Sequence, residues 1–377
     1  MKAPRMSPSD KSVADRPAQR RGRLLHELKQ LKCPAMLVTD AVNVTYLTGF
    51  SGDSSYLLIG KGVCVLLSDA RYTVQIEEEC PGLDAVIRKQ NQTLLHAVQQ
   101  VVRKAQCSQL GFEAGTITFQ QWQRLKSSLE QVEWIPLDGP VENLRQVKDA
   151  TELAEIRLAV DQAQRGFALI TAGLTGDMTE LQVAHDLEHA MRRFGAAGVA
   201  FDPIVAVGAR AALPHARPQS QRICEAPFTL FDWGAQTLAG YKSDLTRVII
   251  TGKIPPKLEK IYRVVLNAQR AGIDAVRPGA RGVDVDRAAR SIIEKAGYGK
   301  QFGHSLGHGV GLHIHESPRL ASTSTDILKP GMIVTVEPGI YLPGWGGVRI
   351  EDDVLVTRDG VEVLTSLPKE WDDIQLS

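Results

Sequence analysis

Nine side chains in the second half of the chain are the candidates for handling metals and protons. Four are carboxylates beside apolar runs: Asp232 in FDWG, Asp244 in YKSDLTR, Glu337 in TVEPG and Glu351 in VRIEDDVLV. Four are histidines, His304, His308, His313 and His315, crowded into GHSLGHGVGLHIHES at 303–317; the ninth, His215, stands alone in RAALPHARP. A carboxylate taken out of water without a partner costs several kcal/mol. For one alone an ion pair suffices, such as Asp244 with the nearby Arg247. Four that converge raise one another's pKa values sharply, and divalent cations relieve this. Two such ions offset four carboxylates, and a hydroxide between them can serve as an attacking nucleophile.

The histidine stretch does not read as a zinc-binding helix. Gly303, Gly307, Gly309 and Gly311 interleave with His304 and His308, and each glycine costs a helix interior about 1 kcal/mol relative to alanine. A tight turn or strand is expected, with the glycines letting the backbone pass close to an ion or substrate. His313 and His315 alternate with Leu312 and Ile314 as on one face of a strand. A lone histidine is ordinarily solvated or hydrogen-bonded. Beside four carboxylates, one ligand with one or two proton-handling groups is the stronger expectation.

The elements that must position these groups fall into two parts. With 377 residues, 43% hydrophobic, the chain is long enough for two domains. Its 44 basic and 43 acidic residues give no charge excess for nucleic acid or an anionic membrane. Cys33, Cys64, Cys80, Cys107 and Cys224 are odd in number and form no C-x-x-C pair, so neither a disulfide framework nor a thiolate zinc site is expected. No run reaches the roughly 18 apolar residues of a membrane span, and the first segment lacks the apolar core of a secretory signal; the cytoplasm is the expected compartment. Residues 1–21, rich in proline, serine and charge, read as a disordered tail.

From 22 to 140, short apolar runs (AMLVTD, SYLLIG, VCVLLSD) alternate with helix-like YTVQIEEEC and TLLHAVQQVVRKA, the rhythm of a small α/β domain. The pattern breaks at Gly139-Pro140, and a second domain, 141–377, opens with a long helix whose Asp149 and Glu152 have capping-box spacing. A second helix starts at Thr179 and closes at Gly195; a later pair runs from about Pro256 to Val276 and on to Gly297. The closing glycines lie 102 residues apart (195 to 297), which hints at a duplicated helix-pair unit. Each pair is followed by strand-like segments: DPIVAVG, PFTLFDWGA and SDLTRVIIT after the first, MIVTVEPGIYL and VRIEDDVLVT after the second.

Taken in order, FDWGAQTLAGYKSDLTR, GHSLGHGVGLHIHES, TVEPGIY and VRIEDDVLV resemble the aminopeptidase P, prolidase and methionine aminopeptidase family, the pita-bread metallopeptidases. The resemblance covers about 143–370, and AMLVTD, VTYLTGF and DARYT extend it over 22–140 as the creatinase-type N-terminal domain, which points to the proline-specific branch. It implies an α+β chain: a C-terminal pita-bread fold of pseudo-duplicated helix pairs on a curved antiparallel sheet, behind a smaller α/β domain. It also implies two divalent metal ions, manganese before cobalt, iron or zinc, on Asp232, Asp244, His308, Glu337 and Glu351, with Asp244 and Glu351 bridging. Glu337 would double as general base; His215, His304 and His315 match cleft histidines, and Arg349 a site-ordering arginine. The substrates implied are small peptides with proline in second position, cleaved by an aminopeptidase P-like enzyme or an Xaa-Pro dipeptidase, and the assembly a homodimer. Related enzymes usually place eleven steps between the two aspartates; here there are twelve, with the extra residue in the tip QTLAGYK. Two alternatives are a creatinase-like metal-independent amidinohydrolase and a non-catalytic peptide-binding protein on the same scaffold. Both should have lost ligands that this chain keeps.

Overall fold

The computed structural model describes residues 16–375. Its first compact unit ends at Arg145 and contains α1 (Arg16–Gln30), β1 (Ala35–Val38), α2 (Ala41–Thr48), β2 (Tyr56–Gly60), β3 (Val63–Ser68), α3 (Thr73–Glu79), β4 (Asp84–Ile87), α4 (Leu94–Lys104), β5 (Gln109–Glu113), α5 (Phe119–Ser128), β6 (Glu133–Leu137) and α6 (Pro140–Arg145). The strands form one sheet in the order β4-β3-β2-β1-β5-β6. β1, β2 and β3 pair antiparallel, while the β3–β4, β1–β5 and β5–β6 pairs are parallel. Parallel neighbours need crossovers, which the helices supply. Leu37, Leu58 and Leu67 of the sheet pack with Val98 and Val102 of α4 and Leu125 of α5.

Two boundaries differ from those expected. Residues 16–21, assigned to a disordered tail, open α1: Leu24 and Leu28 are buried on its inner face, and the Arg20 guanidinium lies 4.3 Å over the Tyr46 ring. The rest of that tail, 1–15, lies outside the described residues. The break at Gly139-Pro140 is a helix start rather than a domain boundary, since proline is well suited to a first helical position. α6 stays with the first unit because Arg145 Nη1 donates to Asn43 Oδ1 at 2.8 Å and Asn43 Nδ2 to Glu142 Oε1 at 2.7 Å.

The second unit, from Gln146, comprises α7 (Ala150–Ala172), α8 (Glu180–Arg193), β7 (Gly198–Val199), β8 (Ile204–Val207), β9 (Phe228–Trp233), β10 (Ala235–Gln236), β11 (Leu245–Ile250), α9 (Pro256–Ala275), α10 (Gly282–Lys295), β12 (Gly307–Gly309), β13 (Glu316–Leu320), β14 (Ile333–Val336), β15 (Gly339–Leu342), β16 (Gly346–Arg349), β17 (Asp352–Val356) and β18 (Val361–Val363). The capping boxes at Asp149–Glu152 and Thr179–Gln182 both form. The duplication shows in register. α8 and α10 each span 14 residues, and Gly195 (φ 96°) and Gly297 (φ 88°) follow them in the left-handed conformation that glycine adopts without penalty. α7 packs on α8 and α9 on α10.

Behind the helix pairs run an antiparallel sheet β11-β9-β8 and a five-stranded sheet β13-β12-β14-β17-β18, joined by a bridge between Thr246 and Glu351. Phe167, Leu187 and Met191 from the first pair pack on Phe231 and Trp233; Trp233 Nε1 donates to Ala163 O at 3.0 Å, so its buried polar atom is satisfied. Tyr262, Val265 and Ile293 from the second pair pack on Val334 and Val354. Among the described residues no helix is long and apolar enough to cross a membrane.

Candidate metal centre

The four carboxylates reach one place by different routes. Asp232 sits inside β9, opposite Ile204 of β8 and Thr246 of β11. Asp244 ends the hairpin just before β11, and its N–H donates to Asp353 Oδ2 at 3.0 Å. At the hairpin tip Thr237 N donates to Tyr241 O at 2.8 Å and Gly240 turns at φ 88°. Glu337 and Glu351 were expected inside strands, but each lies at a break. MIVTVEPGIYL is two strands parted at Glu337-Pro338, because proline has no N–H for the ladder. VRIEDDVLVT is parted at Ile350-Glu351, where Glu351 leaves its own sheet to bridge to Thr246. The ion pair considered for Asp244 does not form either: Arg247 instead binds Asp352 Oδ1 at 2.8 Å.

His308 is carried by β12, wedged between β13 and β14. The flanking glycines have a steric cause: a Cβ at Gly307 would lie 2.0 Å from Thr335 O, and one at Gly309 2.3 Å from Ser317 O. These two permit close strand approach, and Gly303 lines the cavity described below. His313 and His315 lie in a bend ahead of β13, not on a strand face. The His315 ring nonetheless meets that of His308 edge to face, with centroids 4.4 Å apart.

Asp232, Asp244, Glu337, Glu351, His215, His304, His308, His315 and Arg349 all line a single cavity of about 590 Å³; His313 does not. Ligand atoms of Asp244, His308 and Glu351 lie within 4.8 Å of one another. His308 Nδ1 is 3.1 Å from Gly309 O; a carbonyl only accepts, so Nδ1 carries the hydrogen. Burial holds the ring near a pKa of about 3, hence neutral, and Nε2 presents a lone pair 3.7 Å from Asp244 Oδ2 and 3.4 Å from Glu337 Oε1. Asp232 Oδ1 is buried and, among the described residues, has no hydrogen-bond partner. Burial, then the neighbouring carboxylates, push the Asp244 and Glu351 carboxyls well above the ordinary range, and burial lifts Glu337 to about 8. Lone pairs facing one another and an orphaned carboxylate oxygen are the environment that a divalent cation resolves, so the residues fit a metal.

Three residues that sequence reasoning left out complete the site. The Tyr341 hydroxyl accepts from Arg349 Nη1 at 2.7 Å and donates to His304 Nε2 at 2.9 Å. His304 Nδ1 donates to Ser305 O at 2.8 Å, so both ring nitrogens are engaged, and burial holds this ring at a pKa of about 4. His304 lines the cavity with its Nε2 accepting from the Tyr341 hydroxyl. The Thr246 hydroxyl donates to Glu351 Oε2 at 2.6 Å and accepts from Arg349 Nε at 3.0 Å. Arg349 also pairs with Asp232 Oδ2. Asp353 is the third, receiving the Asp244 N–H. Tyr341 stood within TVEPGIY, and Thr246 lies two residues past Asp244, on the same strand face.

Two family models match the chain: the creatinase/prolidase N-terminal domain over residues 20–147 and metallopeptidase family M24 over residues 154–358. The chain belongs to metallopeptidase family M24. This M24 peptidase is similar to a structure described as an Xaa-Pro dipeptidase from Bacillus anthracis, at 38% identity and a TM-score of 0.91 over 96% of this chain and 100% of that one. It is similar to an X-Pro aminopeptidase structure from Thermotoga maritima at 33% identity and a TM-score of 0.85, covering 92% and 99% of the two chains. An Xaa-Pro dipeptidase of Pyrococcus furiosus is 35% identical over 337 residues, 89% of this chain and 94% of the relative. The M24 peptidase therefore has the pita-bread fold with a creatinase-type N-terminal domain, and its family carries divalent metal binding.

Proposed function

We propose that this M24 peptidase is a dinuclear-metal hydrolase that removes the N-terminal residue from peptides with proline second, and that its preferred substrate is the dipeptide Xaa-Pro. The reading is carried by the convergence of Asp232, Asp244, His308, Glu337 and Glu351 on one cavity, with Asp232 Oδ1 unpaired. Asp244 and Glu351 would bridge two divalent ions, Asp232 completing one and His308 with Glu337 the other. Bound there, the ions supply Lewis acidity and an activated water. Oxygen-rich ligation with one imidazole favours manganese, with cobalt, iron or zinc as alternatives.

The chain's own groups do the remaining work. The Glu337 side chain, at 15% the most exposed of the three carboxylates Asp232, Asp244 and Glu337, takes the proton of the attacking water and returns it to the leaving proline nitrogen. His215 and His315, both on the cavity wall, donate N–H to the scissile carbonyl oxygen and stabilise its negative charge as it develops. Arg349 holds the Asp232 carboxylate, and Tyr341 holds Arg349. Phe201, Ile204 and Ile314 give the cavity an apolar wall suited to a proline ring, and Arg217 and Arg319 offer guanidinium groups to a terminal carboxylate. That pair favours the dipeptide over longer peptides.

The test is hydrolysis of Xaa-Pro, Xaa-Pro-amide and Xaa-Pro-Yaa, before and after chelation and after manganese is restored. Cleavage of Xaa-Pro above the other two is expected. Cleavage of none of them with metal restored removes the reading; equal cleavage of Xaa-Pro-Yaa removes only the dipeptide preference.

A further inference from the structure

His215 lies on the long connection between β8 and β9, residues 208–227. Its ring is exposed and, among the described residues, makes no hydrogen bond. Its place on the cavity wall is therefore set by the backbone that carries it. That backbone is tied at both feet to one side chain, Glu180, the first residue of α8, which is 0% exposed. Glu180 Oε1 accepts from Val207 N at 2.8 Å and Oε2 from Gln219 N at 2.9 Å, so one carboxylate spans the twelve-residue separation between 207 and 219. Arg210 Nε donates to both oxygens, at 3.0 and 2.9 Å. Its Nη2 carries the connection to Arg217 O at 2.5 Å, two residues beyond His215. The backbone of α8 adds Glu180 N to Gln221 O at 2.9 Å and Leu181 N to Gln219 O at 3.0 Å. The front of the loop is held from the metal side, where Arg349 Nη2 donates to Pro214 O at 3.4 Å.

A fully buried carboxylate must be satisfied, and several arrangements local to α8 would do that. Here it is spent instead on fixing the span of one loop, and the guanidinium fork extends the fixation to the residues flanking His215. We propose that Glu180 and Arg210 are positioning residues for His215, holding its imidazole where the scissile carbonyl of a bound peptide must lie. The proposal rests on the role given to His215 in the peptidase reaction. Misplacement of a reacting group by about 1 Å can cost on the order of 100-fold in rate, so the effect should appear in kcat rather than KM.

Arg210 is the side chain to change, because it is partly exposed and its loss leaves the backbone bonds of Glu180 in place. In manganese-loaded full-length protein, folded at the assay temperature, R210A should lower kcat on Xaa-Pro by about 10- to 100-fold, with KM within a few-fold and metal content near wild type. R210K keeps the charge but not the fork, so it should not rescue. In an H215A background, R210A should cost less than about twofold further. Hydrogen exchange by mass spectrometry should show faster exchange in R210A confined to about 208–219. Unchanged exchange there overturns the proposal, as does an equal rate loss in the wild-type and H215A backgrounds. Exchange needs no substrate, so if the wild type cleaves no Xaa-Pro peptide the proposed function falls while the exchange result still decides whether Glu180 and Arg210 hold the His215 loop.

Discussion

Replacing Thr246 with valine keeps the shape of a fully buried strand residue and deletes one hydroxyl. That hydroxyl donates to Glu351 Oε2 at 2.6 Å and accepts from Arg349 Nε at 3.0 Å. Hydrogen bonds to charged groups contribute about 1.5–3 kcal/mol each, so losing both costs roughly 3–6 kcal/mol if nothing relaxes. Arg349 keeps Tyr341 and Asp232, and the larger share falls on Glu351, whose free oxygen no longer has a fixed direction. Loss of a residue that orients a ligand weakens metal affinity or activity by about 10- to 100-fold, equivalent to roughly 1.4–2.7 kcal/mol of binding. The assay is a calorimetric manganese titration of chelator-stripped T246V beside wild type, with kcat/KM read at saturating manganese. Weaker binding by that factor is expected, with most activity restored at saturation because the ligand itself remains. Binding within about twofold of wild type would refute the assignment of Glu351 as a ligand oriented through Thr246.

In the metal-free protein, Asp244, Glu337 and Glu351 have folded pKa values above their ordinary ones, chiefly through burial, with Glu337 at about 8. The Glu337 contribution is full below its ordinary value of 4.5 and is lost as pH rises through about 8; Asp244 and Glu351 act in the same direction, and a cation displaces the same protons. Chelated protein should melt progressively lower between about pH 5 and 8 while the manganese-loaded form does not, and a constant gap across that window counts against the metal site. Burial alone would raise the Asp352 carboxyl, but Arg247 and Lys369 outweigh it and hold it well below the ordinary range. Its stabilisation is thus present above about pH 4 and lost on acidification. D352N should destabilise by about 3–5 kcal/mol at neutral pH and lose that deficit in acid, as read by urea unfolding at both pH values. In G307A the new methyl would sit 2.0 Å from Thr335 O and force β12 off β14. It should lower stability by about 3 kcal/mol or more and abolish manganese binding, and retention of both would show that the β12 spacing does not set the site.

The residues that meet in the cavity were legible because each breaks a local rule. Asp232 and Glu351 are charged residues among buried neighbours, and the GHG triplet is too rich in glycine for a helix. Helix ends were legible for a related reason: Asp149–Glu152 and Thr179–Gln182 state their hydrogen bonds in four residues. What escaped depends on pairing between distant segments. The strand break at Glu351 follows from its bridge to Thr246 in another sheet, and the His313 and His315 bend from a loop that never joins the ladder. Thr246, Tyr341 and Asp353 have ordinary strand chemistry in sequence, and only the fold supplies the arginine, histidine and backbone amide that they hold. The α1 start was hidden by its charge, since Arg16 to Arg23 reads as solvated chain until Leu24 and Leu28 find a core.

The central claim is that five side chains hold two cations. Its most direct test is the metal content, by inductively coupled plasma mass spectrometry, of protein loaded with manganese and desalted, beside D244A prepared in the same way. About two manganese ions per chain are expected in the wild type and fewer than one in D244A. A wild type that retains none, or a folded D244A that retains both, would contradict the account.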